Sequence, residues 1–183
     1  MSRRKPEASS RVDVVITYLD QREKPASHRA VEPAGKLAIL KAEKPPIHFY
    51  RYLYRTIGDP YKWVSRRSIE DDDLAAIIHD DRVALYVLYA DGAPAGMAEI
   101  DSREPGESEI KFFGLMPERI GAGFGTFFFS AILDIVWSAH PKRVKLETCT
   151  LDHPSALRFY QKHGFSVYDR QRGVVIVQES DAA

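Results

Sequence analysis

Residues 114–133, GLMPERIGAGFGTFFFSAIL, decide the fold of this chain. The strand-like run 108–116 leads through Pro117 into three glycines at alternate positions, and the apolar run after them predicts a largely buried helix over 126–139. Glycine lets the backbone approach a ligand closely, and the unbonded N–H groups at a helix start attract phosphate. The stretch therefore predicts a strand, a phosphate-binding glycine turn at residues 120–126, and a helix.

Two well-known nucleotide-binding motifs also place glycines between a strand and a helix. A dinucleotide-binding fold would use Gly121-x-Gly123 with Glu147 as the ribose-binding acid, but Thr126 stands where that fingerprint needs Gly or Ala. The turns before residue 108 also predict antiparallel partners for the entering strand, and too little chain follows for a doubly wound sheet. A P-loop is excluded because no Gly-Lys-Ser/Thr follows the glycines. A turn that only permits close packing remains an alternative.

The rest of the chain predicts an α/β (α+β) fold with a mixed, mostly antiparallel sheet flanked by about four helices. Hairpin signals at Asp91-Gly92 and Pro105-Gly106 join three strands into a meander, and the strand at 36–42 is expected to pair with the first strand. We expect residues 1–10 to form a disordered tail and 11–180 a single domain. Strands are predicted at 12–19, 36–42, 83–89, 95–100, 108–116, 144–149, 165–168 and 174–178, and helices at 47–57, from an N-cap at Ser68 to His79, at 126–139 and at 153–163.

Composition excludes several classes of function. Lys plus Arg equals Asp plus Glu at 26 each, so no global field attracts nucleic acid or an anionic membrane. Cys149 is the single cysteine and cannot form an internal disulfide, and the six histidines show no metal-ligand spacing. No apolar run reaches membrane-spanning length. We expect a soluble, cytoplasmic protein without a metal.

The glycine turn and a second block together resemble the GNAT superfamily of N-acetyltransferases. The family's turn Gln/Arg-x-x-Gly-x-Gly/Ala is matched by Gly123 and Gly125, with Ile120 at the Gln/Arg position. The second block, DHPSALRFYQKHGFSVY, is similar to the family's Asn-x-x-Ala-x-x-Phe/Leu-Tyr-x-x-x-Gly-Phe, with His153 at the Asn position and Tyr160 at the Tyr position. The resemblance covers about a third of the chain and implies a GNAT-like fold that binds acetyl-CoA.

This resemblance implies a set of residues that bind the cofactor. They surround the pyrophosphate and the pantetheine, and a backbone amide near Leu115 is expected to form the oxyanion hole. The expected cofactor-binding residues are Leu115, Met116, Ile120, Gly121, Ala122, Gly123, Phe124, Gly125, Thr126 and His153.

Acetyl transfer to an amine needs a base, because an alkyl ammonium is mostly protonated at neutral pH. Glu109 is the candidate base, since the resemblance places a base on this strand; the alternative is a solvated carboxylate, because period-two alternation puts Glu107, Glu109, Lys111 and Phe113 on one face. Tyr160 is the candidate acid that protonates the departing thiolate, and the alternative is a buried aromatic.

The acceptor pocket is expected near the first helix, where proteins with this resemblance commonly build it. Tyr54, Tyr61 and Trp63 are the aromatic candidates, with Glu99 as a substitute base. The predicted activity is acetyl-CoA-dependent N-acetylation of a primary amine on a small molecule or peptide, and a homodimer is compatible with the resemblance. The alternative is a non-catalytic protein that binds acyl-CoA.

Overall fold

Seven strands form one mostly antiparallel sheet in the computed structural model, which describes residues 9–25 and 30–178. The order is β2-β3-β4-β5-β6-β1-β7, and only β5 and β6 run parallel among the pairs described. This architecture confirms the predicted mixed α/β class. The strands are β1 Ser9–Gln21, β2 Leu37–Ala42, β3 Val83–Ala90, β4 Ala93–Asp101, β5 Glu107–Leu115, β6 Arg143–Cys149 and β7 Ser166–Gln178.

Four helices in the described ranges cover the two faces of the sheet. They are α1 Ile47–Gly58, α2 Asp71–Ile78, α3 Phe124–Ser138 and α4 Ala156–Lys162. The apolar stripes of α1 and α2 pack on β3, β4 and β5 around Leu53, Leu74 and Met97. On the other face, the apolar residues of α3, including Phe128 and Ile132, form a second core with Leu146. The cleft described below lies between β5 and β6 and is lined by residues of both layers.

The position of β1 differs from the prediction. We expected it to pair with 36–42, but β1 lies between β6 and β7, while β2 pairs with β3 at the opposite edge. Residues 22–36 can cross the sheet, because they span about 50 Å when extended and five strand spacings are about 24 Å. Leu19 is fully buried, and Gln21 donates to the His163 carbonyl at 2.5 Å and accepts from the Trp137 indole at 3.0 Å.

The two predicted closing strands are one strand. The sequence predicts separate strands at 165–168 and 174–178, but β7 runs without a break through the polar residues between them and pairs with β1 from Ser9 to Asp20. The polar side chains are tolerated because β7 is an edge strand and they are mostly exposed. Tyr168 is the extra residue of a bulge opposite Tyr18 and Leu19.

The helix starts also differ from the sequence prediction. α2 begins at Asp71 with Glu70 rather than Ser68 at the N-cap, α3 begins at Phe124, and α4 begins at Ala156. The three aspartates in the first turn of α2 complement its dipole as expected. Of the tail predicted at 1–10, residues 1–8 lie outside the described residues, and Ser9 and Ser10 belong to β1.

A bulge at Lys111 changes the face to which β5 directs its side chains. Glu99 pairs with Phe112 and Ile100 with Ile110, so Lys111 has no partner on β4. The predicted alternation therefore fails beyond Lys111: Phe112 packs with the α1 layer, and Phe113 contacts Phe128 and Phe129 of α3. Parallel pairing with β6 ends just before the bulge, at Glu109 and Lys145. Beyond this point the two strands diverge.

The loop between α1 and α2 is held to the sheet by a buried ion pair. Glu99 is fully buried; it accepts from Arg66 at 2.8 Å and from the Tyr50 hydroxyl at 2.5 Å. Arg51 of α1 donates to the carbonyls of Arg66, Arg67 and Ile69 and also pairs with Asp71. These contacts hold the loop between α1 and α2 against the sheet.

Glu99→Gln is expected to lower the free energy of unfolding by about 3 kcal/mol, because it leaves the Arg66 guanidinium buried without a counter-ion. Urea denaturation measures the change. Glu43→Gln is the matched control, since the exposed pair of Glu43 with Lys41 is worth less than about 1 kcal/mol. Equal losses in the two variants would contradict the structural role of the buried pair.

Candidate functional site

A cleft of about 560 Å³ opens where β5 and β6 diverge. Its walls come from the ends of both strands, the glycine turn, the start of α4, the loop after α1, and residues of β1 and β7. An extended ligand could lie between β5 and β6, because neither strand is hydrogen-bonded to the other there. The divergence of the two strands thus creates the site.

The glycine turn is shaped for close approach of a ligand. Gly121 and Gly123 have φ of 86° and 85°, a conformation that other residues rarely adopt. A Cβ on Gly121 would meet no atom within 4 Å, and one on Gly123 would meet only Pro33 Cγ at 4.0 Å. Within the described residues, the amides of Phe124, Gly125 and Thr126 have no backbone acceptor. Together these features fit an anion such as pyrophosphate.

The amide of Leu115 points into the cleft. Met116 donates its N–H to Ala95 of β4 at 2.9 Å, and successive N–H groups of a strand point to opposite edges. The Leu115 N–H is therefore directed to the β6 side, where pairing has ended. It is suitably oriented to donate to a ligand oxygen in the cleft.

Tyr160 lines the cleft from α4. Its ring packs against Phe129, Phe159 and Phe165, and its hydroxyl has no side-chain or backbone hydrogen-bond partner in the described part of the chain. Burial, and then the negative charge of Asp152, raise the pKa of the Tyr160 phenol well above its usual range. The phenol therefore stays protonated and available as a donor at neutral pH.

Glu109 is engaged by a neighbouring lysine. Its carboxylate pairs with Lys111 Nζ at 2.9 Å, and Glu109 does not line the cleft, whereas Lys111 and Glu147 do. Glu147 lies 3.9 Å from the same ammonium. Burial lowers the pKa of Lys111, but the hydrogen bond to Glu109 and the two carboxylates outweigh it and raise the pKa. Lys111 is thus a cation that holds Glu109 in place.

The predicted acceptor residues separate into two groups. Tyr61 and Trp63 line the cleft, and Tyr61 approaches His153 across it with ring centroids 6.3 Å apart. Tyr54 and Glu99 are buried behind the cleft, where the Tyr54 hydroxyl accepts from the Arg66 amide at 3.2 Å. They support the wall and do not reach its surface.

His153 stands at the entrance of the cleft. Its Nδ1 accepts from the Ser155 amide at 3.2 Å and lies 2.8 Å from the Ser155 hydroxyl, so the neutral ring carries its proton on Nε2. The preceding residue, Asp152, accepts from Thr148 Oγ1 at 2.6 Å and from the Cys149 amide at 2.9 Å. This bracing fixes the link between β6 and α4.

Most of the predicted cofactor-binding residues lie on the cleft. Met116 and Phe124 are instead buried beside it, and Ala122 is exposed away from its lining. The predicted residues that line the cleft are Leu115, Ile120, Gly121, Gly123, Gly125, Thr126 and His153.

Sequence reasoning missed several residues of the cleft wall. Two of them, Lys111 and Glu147, could have been recognised from the sequence. Both are charged residues within central strands, where positions are normally apolar. The sequence did not indicate that aliphatic residues of β1 and β7 line the cleft, because this depends on the unexpected strand order. We call these residues the aliphatic wall. The aliphatic wall consists of Val14, Ile16 and Val175, which share one face of the sheet; Val174 also borders the cleft but pairs with Asp13 and points to the other face.

A second cavity of about 620 Å³ adjoins the cleft. The two cavities share Thr126, Ser155 and Phe159, so the second continues from the glycine turn between α3 and α4. Its basic side chains include Arg158 and Lys162 on α4. A long ligand could therefore extend from the cleft into a positively charged groove.

Two features are absent from the described ranges, 9–25 and 30–178. None of their helices is long and apolar enough to cross a membrane. They also contain no group of three or more His, Cys, Asp or Glu side chains placed to hold a metal ion.

A sheet that splays beside a glycine turn and helix N-terminus defines an acyltransferase-like class of fold. The model of the acetyltransferase (GNAT) family matches residues 42–165, and the chain belongs to that family. The match begins after β1 and ends before β7. A search of curated proteins finds no match.

Solved structures share the fold at low sequence identity. A GCN5-related N-acetyltransferase from Sphaerobacter thermophilus superposes with a TM-score of 0.65 and 15% identity over 88% of this chain and 51% of that chain. A putative GNAT-family acetyltransferase from Novosphingobium aromaticivorans superposes with a TM-score of 0.60 and 16% identity, over 93% of this chain and 68% of that chain. The ribosomal-protein-S18-alanine N-acetyltransferase from Escherichia coli superposes with a TM-score of 0.59 and 12% identity, over 78% of this chain and 95% of that chain. The chain thus spans about half the length of the Sphaerobacter protein, and the likeness is one of fold.

Proposed function

We propose that this chain transfers the acetyl group of acetyl-CoA to a primary amine bound in the cleft. The observation that carries the proposal is the glycine turn, with two positive-φ glycines, open space beside them and unbonded amides at the start of α3. Membership of an acetyltransferase family supports the same reaction.

The donor fits the cleft and the groove that continues from it. The amides of the glycine turn would hold the pyrophosphate, and the diverging ends of β5 and β6 would hold the pantetheine arm in place of the missing strand pairing. Arg158 and Lys162 would face the 3′-phosphate of the adenosine. Acetyl-CoA supplies the activated thioester, and the protein supplies binding and proton transfer.

Two groups of the chain support the chemical step. The Leu115 N–H would stabilise the negative charge that develops on the acetyl oxygen. Tyr160 would donate its proton to the departing thiolate, because its phenol is protonated and its hydroxyl has no competing partner in the described residues. Glu109, the expected base, forms an ion pair with Lys111 and does not line the cleft. Another carboxylate is therefore a better candidate for the base.

Release of thiol from acetyl-CoA across a panel of amines tests the function. Activity on an amine supports the acetyltransferase, whereas coenzyme A binding without turnover on any amine of the panel would favour the non-catalytic acyl-CoA-binding alternative.

Gly123→Asp is expected to weaken coenzyme A binding at least 100-fold, about 2.7 kcal/mol, because it places a carboxylate among the phosphate-binding amides. Gly123→Asn is the matched control, since Asn and Asp both tolerate positive φ and both cap helices, but Asn carries no charge. Titration calorimetry measures both variants. Similar affinities for coenzyme A in the two would show that the phosphates bind elsewhere.

Tyr160→Phe is expected to lower turnover by roughly 100-fold, the usual loss when a general acid is removed. Affinity for coenzyme A should change less than about twofold, because the ring packing is kept. Steady-state kinetics with calorimetry separates the two effects. Unchanged turnover would remove Tyr160 from the mechanism.

The double variant Arg158→Ala/Lys162→Ala should weaken binding of coenzyme A by about fivefold, near 1 kcal/mol for exposed charges. Binding of dephospho-coenzyme A, which lacks the 3′-phosphate, should not change. Lys142→Ala removes a cation near Gly106, away from the groove, and serves as the control. An equal loss for both ligands would place the 3′-phosphate outside the groove.

A further inference from the structure

The acceptor end of the cleft lies on the sheet face opposite α3. Leu146 of β6 is buried in the core with α3, so its neighbour Glu147 points to the other face, as does Cys149. Ile16 pairs with Cys149 and Tyr18 with Glu147, which brings β1 alongside this end. The donor approaches from the glycine turn, and an acceptor would therefore enter from the face that carries Glu147.

Glu147 is the carboxylate at this end that is available to a cation. It lines the cleft with 43% of its side chain exposed, and its nearest cation in the described chain, Lys111, is 3.9 Å away and paired more closely with Glu109. The other carboxylate on the cleft, Asp152, uses Oδ2 to brace Thr148 and the Cys149 amide. An incoming ammonium would therefore find its counter-ion at Glu147.

The remaining surface of the cleft is mostly apolar, with Lys62, Ser65 and Lys111 among its polar exceptions. The aliphatic wall of β1 and β7 faces the cleft together with Trp63 and Phe112. A ligand that covers this surface gains about 25 cal/mol of binding free energy for each Å² of apolar area buried. The second carboxylate of the cleft, Asp152, already accepts two hydrogen bonds, so the second ammonium of a polyamine would find no exposed counter-ion comparable to Glu147.

The aliphatic wall lies outside the region that the family model matches. Val14 and Ile16 precede the residues that the family model matches, and Val175 follows them. The wall exists because β1 lies between β6 and β7. One side of the acceptor end is therefore built by strands outside the residues that the family model matches.

We propose that the acceptor is a primary monoamine with an apolar body, whose ammonium pairs with Glu147 and whose hydrocarbon covers the aliphatic wall. The proposal rests on the proposed acetyl transfer and names its substrate class. It also assigns the proton-accepting role to Glu147 instead of Glu109.

The reaction balances with the groups named. The Glu147 carboxylate takes one proton from the ammonium, and the amine lone pair forms the C–N bond to the acetyl carbon. The C–S bond breaks, and the sulfur takes the proton of Tyr160. The nitrogen gives a second proton, through solvent, back to the Tyr160 phenolate. Glu147 then releases its proton to water, so one proton is produced for each amide formed.

Direct binding of phenethylamine tests the proposal without depending on turnover. Calorimetry on the full chain, with and without coenzyme A, should show binding that weakens at least tenfold in Glu147→Gln. Glu43→Gln, which removes an exposed carboxylate beside the far-edge strand β2, is the control and should change the affinity less than twofold. The neutral analogue 2-phenylethanol should bind wild type and Glu147→Gln equally, because it lacks the ammonium.

Three results would overturn the proposal: no binding of phenethylamine, equal binding in wild type and Glu147→Gln, or tighter binding of spermidine or phenylalanine than of phenethylamine. Failure of the proposed function gives a different result, namely no coenzyme A binding or no thiol release with any amine. The titration without coenzyme A still decides the role of Glu147 in that case.

Discussion

The divergence of β5 from β6 is the constraint on which the site depends. Parallel pairing stops at Glu109 and Lys145, and the bulge at Lys111 follows at once. The bulge sends Phe112 to the α1 layer and Phe113 to the α3 layer, so both cores are filled while the strand edges separate. Backbone groups of β5 that would otherwise pair with β6 are left for a ligand. An extended donor arm could satisfy them, and for this reason we propose the cleft as the donor site.

The place of β1 between β6 and β7 decides what the cleft can accept. β1 pairs with β7 over nearly its whole length, and Gln21 links its end to α3 and α4. One side of the acceptor end is therefore built by strands outside residues 42–165, which match the family model. The buried pair of Glu99 and Arg66 holds the opposite side, the loop after α1. The proposed donor site thus lies within the matched region, while the proposed acceptor site also depends on strands outside it.

Local signals predicted the class of fold, and they also point to the proposed donor site, because the residues that carry each signal are contiguous in the sequence. The glycine turn needs positive φ at Gly121 and Gly123, and the block that ends in Gly164-Phe165 places Tyr160 on a short helix. Long-range pairing was not predictable: the pattern of β1 identifies a strand but not its neighbours, and the polar residues of β7 are typical of a turn. The roles of Glu109 and Glu147 depend on a bulge and on the partner of Lys111, which alternation alone cannot reveal.

Amide chemical shifts during titration with coenzyme A test the central claim most directly. Binding in the cleft predicts that the largest changes in a ¹⁵N-labelled full chain occur at Gly121, Gly123 and Gly125, at Leu115 on β5, and at Cys149 on β6. The amides of β2, at the far edge of the sheet, should stay unchanged. Saturable shifts confined to other surfaces, or no shifts at millimolar coenzyme A, would contradict a donor site between the diverging strands.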